Sequence, residues 1–246
     1  MTELNVKIAD ETFCIQCSSP LISKLFSDYT ISGKGEIPIC PTDEELKKIR
    51  AQFIRTDKKY FDEPRRHPME HTEYHTIHYV MAKALIKRGV LLVHGSAVVA
   101  DGSAYLFIAP SGTGKSTHTA LWKEVLGERA FIINDDKQMI RLTGEVPLVY
   151  PTPWGLTGSP GTMAGAPLKA VVLLERSNEN LVTQIDSFKM FPHIFQAAIC
   201  GETPAQTEEI LDLERKLLGT TKLYRLKCRA DIDAAKTAIK GIHENR

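Results

Sequence analysis

Tyr105-Leu-Phe-Ile-Ala-Pro-Ser-Gly-Thr-Gly-Lys-Ser-Thr117 joins an apolar run directly to a glycine-rich loop. From Ala109 to Ser116 the residues fit the pattern Gly, four free positions, Gly-Lys-Ser/Thr, except that Ala109 stands at the first position. In such loops the backbone N–H groups surround phosphate oxygens, the lysine reaches the outer phosphates and the next hydroxyl binds Mg²⁺. The following run through Trp122 is expected to begin a helix whose positive end faces the anion. The stretch therefore predicts a phosphate-binding loop between a strand and a helix.

The loop predicts that the chain binds a nucleoside triphosphate. Lys115 is expected to neutralise phosphate charge during catalysis, and Ser116 to hold the metal ion. The residues expected to contact the nucleotide are Ser111, Gly112, Thr113, Gly114, Lys115, Ser116 and Thr117.

The strand that enters the loop is predicted to pair antiparallel with the strand before it. Val90–His94 is apolar, Ser96–Ala100 is strand-like, and Asp101-Gly102 is a strong hairpin-turn signal before Ser103–Ile108. In common nucleotide-binding folds, the strand before the loop lies instead in a parallel sheet reached by helical crossovers. The pattern therefore indicates an α/β fold with a mixed sheet.

Two adjacent carboxylates end the next apolar strand, Phe131-Ile-Ile-Asn-Asp-Asp136. One of them can hold Mg²⁺, and the other can accept a proton from an attacking hydroxyl. Only 20 positions separate Lys115 from Asp135, which is room for one helix and a return strand. The two strands are therefore expected to be neighbours, with the carboxylates beside the loop. An exposed aspartate pair at a turn is the alternative.

These residues resemble the HPr kinase/phosphorylase and phosphoenolpyruvate carboxykinase superfamily, and in particular its small kinase-like members. The resemblance covers about residues 85 to 180. The residues that carry it are His94-Gly95, the loop from Pro110 to Thr117, Asn134-Asp-Asp136, the run from Ser116 to Trp122, Pro151-Thr-Pro-Trp154, and the run from Pro167 to Arg176.

The resemblance implies a mixed-sheet P-loop fold of this type, with a P-loop kinase-like core in residues 85–246. A small N-terminal α+β region, residues 1–84, is either separate from that core or integral to it. The implied reaction is transfer of a phosphoryl group from ATP, with Mg²⁺, to a serine-type hydroxyl of a peptide, protein or small metabolite. Asp136 is then the general base, Asp135 and Ser116 hold Mg²⁺, and His94 positions or polarises the site. A histidine satisfied within the core is the alternative for His94.

Two departures from the family pattern favour a different function class, a nucleotide-binding regulatory or accessory protein without phosphotransfer. Ala109 requires that the loop begin with an ordinary negative φ, and Gly155-Leu-Thr-Gly158 stands where relatives often carry a Gly-Lys-His-type run. The intact aspartate pair argues against this alternative. Trp154 and the glycines of 155–165 predict a lid that closes over the site, or else a surface loop.

Two roles are open for each of the other polar groups that the sequence singles out. His71, His75 and His78 recur at i, i+4 and i+7, which places metal ligands on one helix face but also describes an ordinary helix stripe. His118 either approaches the nucleotide or packs behind the loop. Arg176 either reaches a phosphate or pairs with a neighbouring carboxylate such as Glu175.

The composition of the chain indicates which partners and which cellular compartment to expect. The chain has 246 residues and a net charge of +1, so neither nucleic acid nor a membrane is an expected partner. Five cysteines, an odd number, do not indicate a disulfide framework, and the N-terminus lacks the apolar core of a signal peptide. Cytoplasmic localisation is expected, with a nucleotide and a hydroxyl-bearing substrate as partners; homo-oligomerisation is left open.

Local patterns also predict elements outside the core. A hairpin is expected within residues 4–18, a helix over 43–52 with Thr42 as its N-cap, and a helix over 70–88. Residues 55–68 are rich in charge and proline and are expected to form a surface connection.

Overall fold

The computed structural model describes residues 1–60, 66–155, 164–198 and 203–244. The chain divides into two compact units, Met1–Ala84 and Leu85–Arg246. Within the described residues, no helix combines the length and the apolar character needed to cross a membrane.

The first unit contains a three-stranded sheet in the order β1-β2-β3. Strands β1 (Thr2–Ile8) and β2 (Glu11–Cys17) pair antiparallel, and β3 (Ile37–Ile39) pairs parallel with β2. The hairpin turns at Ala9 and Asp10, which both have positive φ, 51° and 62°. The predicted hairpin is therefore confirmed.

The described residues of the first unit also form three α-helices, α1 (Pro20–Leu25), α2 (Asp43–Tyr60) and α3 (Met69–Ile86). Thr42 and Glu45 form a capping box, because the backbone N–H of each donates to the side-chain oxygen of the other, at 3.0 and 3.2 Å. Helix α2 runs to Tyr60, so the prediction of a surface connection is wrong for residues 55–60. Arg55 is a straight-chain residue that favours a helix, and Asp57 is buried, which a surface connection would not require.

The second unit is built on a nine-stranded mixed sheet within the described residues. Its strands are β4 (Val90–His94), β5 (Ser96–Ala100), β6 (Ser103–Ile108), β7 (Ala130–Asn134), β8 (Lys137–Arg141), β9 (Leu148–Tyr150), β10 (Ala166–Arg176), β11 (Leu181–Gln184) and β12 (Lys222–Cys228). Its helices are α4 (Lys115–Leu126), α5 (Ser187–Ala197), α6 (Pro204–Thr220) and α7 (Ile232–Ala238).

Strand β6 delivers the glycine-rich loop and lies between two partners of opposite direction. It pairs antiparallel with β5, as predicted from the hairpin signal, and parallel with β10, which also pairs parallel with β12. The expectation that β6 and β7 are neighbours is wrong, because β5 lies between them and pairs with both. Strands β6 and β7 both run antiparallel to β5, so the carboxyl ends of β6 and β7 still lie at the same edge of the sheet.

Both faces of this sheet are buried, which explains why β6 is apolar without alternation. Ala104, Leu106 and Ile108 belong to a core cluster that also contains Met190 of α5. The alternate residues of β6 belong to a second cluster on the other face, where helices α4 and α7 contribute Trp122 and several alanines. The sheet therefore lies between two helical layers, with the loop at its edge.

Candidate functional site

The glycine-rich loop takes backbone conformations that its sequence requires. Gly112 and Gly114 have φ of 76° and 114°, in the left-handed region that favours glycine. Among the described residues, positive φ outside glycine occurs at Ala9, Asp10 and Asp101. Ala109 is not in this group, so its side chain is sterically acceptable at the start of the loop.

Lys115 lies folded over the loop that it belongs to. Its Nζ donates to the carbonyls of Ala109 at 3.0 Å and Pro110 at 3.4 Å. Pro110 also accepts from the backbone N–H of Thr113 at 3.3 Å and from its hydroxyl at 2.8 Å. Burial lowers the pKa of the Lys115 ammonium, with nearby Asp136 opposing that shift. The loop thus carries a desolvated ammonium group and further hydrogen-bond donors. These groups now donate to loop carbonyls, and they could donate to phosphate oxygens instead.

Arg176, at the end of β10, holds the loop from outside. Its guanidinium donates from Nη2 to the Gly112 carbonyl and from Nε to the Thr113 carbonyl, the latter at 3.2 Å. Glu175, considered above as an ionic partner of Arg176, instead pairs with Arg225 at 3.2 Å. Arg176 therefore orients loop peptides, a role that neither sequence interpretation included.

The aspartate pair follows β7 directly and lies beside the N-terminus of α4. The hydroxyl of Ser116 donates to the backbone carbonyl of Asp135 at 3.3 Å. The backbone N–H of Gly95 donates to the backbone carbonyl of Asp136 at 2.9 Å. The Asp135 side chain is buried, whereas Asp136 keeps 38% of its side chain exposed. The two carboxylates therefore differ in environment although they are adjacent in sequence.

Asp136 lies between two nitrogen groups. Its Oδ1 is 3.3 Å from His94 Nε2 and 3.4 Å from Lys137 Nζ. Burial, helped by the charges of Lys137 and Lys115, lowers the pKa of His94 to about 4. His94 is thus neutral near pH 7, and its contact with the carboxylate is favourable when Nε2 carries the proton. The sequence reasoning missed Lys137, although its position directly after the pair was the available signal.

Asn134 fixes the turn that presents the carboxylates. Its Oδ1 accepts from the backbone N–H groups of Asp136 and Lys137, at 2.9 and 3.3 Å. Its Nδ2 donates to the carbonyl and hydroxyl oxygens of Thr152, at 3.0 and 2.5 Å. This is an Asx-type turn locked to a second segment, which limits movement of the pair.

Gly155 passes close to the same carboxylates. A Cβ at this position would lie 2.9 Å from Asp135 Oδ1 and 3.0 Å from Asn134 Oδ1. The absence of a side chain at Gly155 therefore leaves space around the buried carboxylate. The predicted lid over 155–165 lies mostly in residues 156–163, outside the described residues.

A cleft of about 620 Å³ borders the loop. It is lined by residues 112–114 of the loop, 117, 118 and 121 of α4, 174–178 at the end of β10 and just beyond it, and 228–230 at the end of β12 and just beyond it. His118 lines it, and its Nε2 accepts from Trp122 Nε1 at 3.1 Å. Burial lowers the pKa of His118 to about 4, so the neutral ring carries its proton on Nδ1. His118 therefore packs against Trp122 and borders the cleft, and its approach to a nucleotide stays a prediction.

The residues predicted to hold Mg²⁺ fit its chemistry. Within the described ranges, no group of three or more His, Cys, Asp or Glu side chains is arranged to hold a metal ion. Mg²⁺ commonly uses only one or two protein oxygens and completes its shell with water and substrate phosphates. Ser116 supplies a hydroxyl and Asp135 a carboxylate, and the two residues adjoin, because the Ser116 hydroxyl donates to the backbone carbonyl of Asp135.

No family model and no curated protein matches this chain. Among solved structures, the chain is similar to an HPr(Ser) kinase/phosphatase from Coxiella burnetii, with 12% sequence identity and a TM-score of 0.28. The alignment covers 51% of this chain and 95% of that one. A match with so low a TM-score does not establish a fold or an activity, so membership in the superfamily remains a prediction.

Proposed function

We propose that this chain is an ATP-dependent, Mg²⁺-requiring phosphotransferase that acts on a serine-type hydroxyl of a peptide, protein or small metabolite. One observation carries the proposal: the aspartate pair lies at the same sheet edge as the glycine-rich loop, with Ser116 Oγ 3.3 Å from the Asp135 carbonyl. A phosphate-binding element alone is compatible with simple binding. A carboxylate held next to it by neutral His94 and by Lys137 adds the group that a hydroxyl acceptor needs.

The geometry supports one orientation of the nucleotide. The cleft on the β10 and β12 side has the volume of a small-molecule site and would take the nucleoside. The phosphates would then extend along the loop, where backbone N–H groups and the α4 N-terminus attract anions. Lys115 Nζ would exchange the Ala109 and Pro110 carbonyls for phosphate oxygens. The terminal phosphate would point toward Asp135 and Asp136.

In this arrangement Ser116 and Asp135 would hold Mg²⁺. When bound, the ion would neutralise the charge that develops on the transferring phosphoryl group. Gly155 contributes by lacking the Cβ that would press on Asp135 Oδ1.

The half-exposed Asp136 would receive the acceptor. Its carboxylate would take the hydroxyl proton as the acceptor oxygen bonds to the γ-phosphorus and the bond to the leaving ADP oxygen breaks. His94 and Lys137 contact the same carboxylate oxygen and would fix its direction. Catalysis then consists of positioning and charge neutralisation.

The proposal is tested with Asp136→Asn. Nucleotide binding is measured by calorimetry with ATP and Mg²⁺, and turnover by ADP release in the presence of serine peptides, proteins and small alcohols. We expect ATP affinity to be retained and turnover to fall by about 10²–10⁴-fold, the usual contribution of a general base. Asp212→Asn is the matched control, because Asp212 is an exposed aspartate paired with Arg215 on α6.

Two results would contradict the proposal. Unchanged turnover in Asp136→Asn would remove Asp136 from the chemistry. Tight ATP binding without transfer to any acceptor, and without hydrolysis, would favour the nucleotide-binding accessory protein instead.

A further inference from the structure

A cluster of rings in the first unit takes no part in the proposed phosphotransfer. The Phe53 ring of α2 packs against three imidazoles, His67, His71 and His75, at centroid distances of 5.1, 5.5 and 4.9 Å. His71 and His75 lie one turn apart on α3, and their rings meet edge to face at 74°. Their Nε2 atoms are 3.2 Å apart. Two imidazole nitrogens therefore converge on one face of α3.

This separation matches the distance between two ligands of one metal ion. With Zn–N bonds of about 2.0–2.1 Å and tetrahedral angles, two ligand nitrogens lie about 3.3 Å apart. His71 is exposed and His75 half-buried, so an ion that retains water molecules can reach both. Packing against Phe53 already restricts both rings, which reduces the side-chain entropy that metal binding would cost.

We propose that His71 and His75 form a bis-imidazole site for a divalent metal ion that prefers imidazole ligands, namely Zn²⁺, Ni²⁺ or Cu²⁺. Imidazole suits these ions, whereas Mg²⁺ takes oxygen ligands, so the site is distinct in chemistry from the one at Asp135. The nearby His67 is engaged elsewhere, with its Nε2 2.7 Å from Asp57 Oδ2.

The sequence pattern of three histidines reduces to a pair in the structure. His78, its third member, is only 5% exposed. The described residues contain no group of three or more His, Cys, Asp or Glu side chains arranged as ligands. Two imidazoles leave coordination positions for water or for a donor atom of a bound molecule, as in open zinc sites.

Metal binding to the full chain tests the inference directly. Equilibrium dialysis with Zn²⁺ is run in excess Mg²⁺, in a Cys40→Ser background because Cys40 is an exposed free thiol. Since the pair supplies two of the four ligands of a structural zinc site, we expect a Kd on the order of 10 µM. His71→Gln/His75→Gln should bind one ion fewer per chain. His193→Gln, which removes a histidine from α5, is the matched control and should bind as the parent does.

A spectroscopic measurement on the parent protein removes any dependence on how well the variants fold. Electron paramagnetic resonance of bound Cu²⁺ should show coupling to two imidazole nitrogens, and to one in each single variant. Coupling to fewer than two nitrogens in the parent, Zn²⁺ uptake that Mg²⁺ abolishes, or unchanged stoichiometry in a folded double variant would overturn the inference.

Discussion

Replacement of Arg176 by alanine tests whether the glycine-rich loop is held in shape from outside. The guanidinium donates to the carbonyls of Gly112 and Thr113. In a trans peptide the next N–H points opposite to the carbonyl, so these contacts turn the N–H groups of Thr113 and Gly114 away from Arg176. The observed donation from Thr113 N–H to Pro110 agrees with that orientation. These two hydrogen bonds from Arg176, called the tether below, therefore set two of the peptide planes whose N–H groups would face a phosphate.

The size of the effect follows from the two hydrogen bonds. Hydrogen bonds to charged groups contribute about 1.5–3 kcal/mol when shielded, and less at an exposed side chain such as Arg176. Taking roughly 0.5–1 kcal/mol for each, Arg176→Ala should weaken ATP binding by about 5–30-fold. Arg176→Lys should give an intermediate loss, because an ammonium cannot span both carbonyls as the planar fork does.

Titration calorimetry with ATP, ADP and adenosine checks this prediction. The loss should be larger for ATP and ADP than for adenosine, because Arg176 lines the cleft but makes its two hydrogen bonds to the loop that would hold the phosphates. Arg215→Ala is the matched control, since Arg215 is an exposed arginine on α6 paired with Asp212. If Arg176→Ala binds ATP as tightly as the parent while Lys115→Ala does not, the tether has no part in shaping the site.

Three further changes probe separate parts of the second unit. Gly155→Ala places a Cβ 2.9 Å from Asp135 Oδ1, and should reduce Mg²⁺-dependent turnover by about 10-fold, in line with a packing penalty of 1–3 kcal/mol. Lys137→Met removes a cation that helps to hold the pKa of His94 near 4, so the His94 titration midpoint in nucleotide-free protein should move upward in NMR spectra. Glu214 is fully buried with both oxygens unpartnered among the described residues, and burial raises its pKa from 4.5 to about 7. Glu214 binds its proton more tightly in the folded protein than in the unfolded chain. The free energy of unfolding that this adds is therefore present below pH 4.5 and falls by about 3 kcal/mol as the pH rises to 7. Glu214→Leu should remove that fall in urea denaturation.

Each of these changes has its own control. Gly219→Ala adds a Cβ that meets nothing within 4 Å, and should leave turnover unchanged. An unmoved His94 midpoint in Lys137→Met would show that the charge of Lys137 does not lower the His94 pKa. If the parent and Glu214→Leu lose stability equally between pH 5 and pH 8, Glu214 does not titrate in that interval.

The local elements of the second unit could be predicted from sequence because their signals are local. The hairpin depends on Asp101-Gly102, where both residues adopt the positive φ that the turn requires, 46° and 76°. The loop glycines follow the same rule, since Gly112 and Gly114 occupy left-handed conformations. The apolar runs on either side predicted strands, and β6 lies between the two core clusters.

Strand order and side-chain partners were decided by the tertiary structure. The 20 positions between Lys115 and Asp135 fit a neighbouring return strand, but β5 occupies that place and pairs with both β6 and β7. Arg176 reaches carbonyls 63 and 64 positions away in the chain, a contact that no spacing rule encodes. Sequence alone determined the places of the glycine-rich loop, the helix after it and the acidic strand, because turn conformation and side-chain periodicity are properties of adjacent residues. Which groups surround Asp136, and which arginine holds the loop, depended on packing between distant segments, where many partners are chemically acceptable and only the folded core selects one.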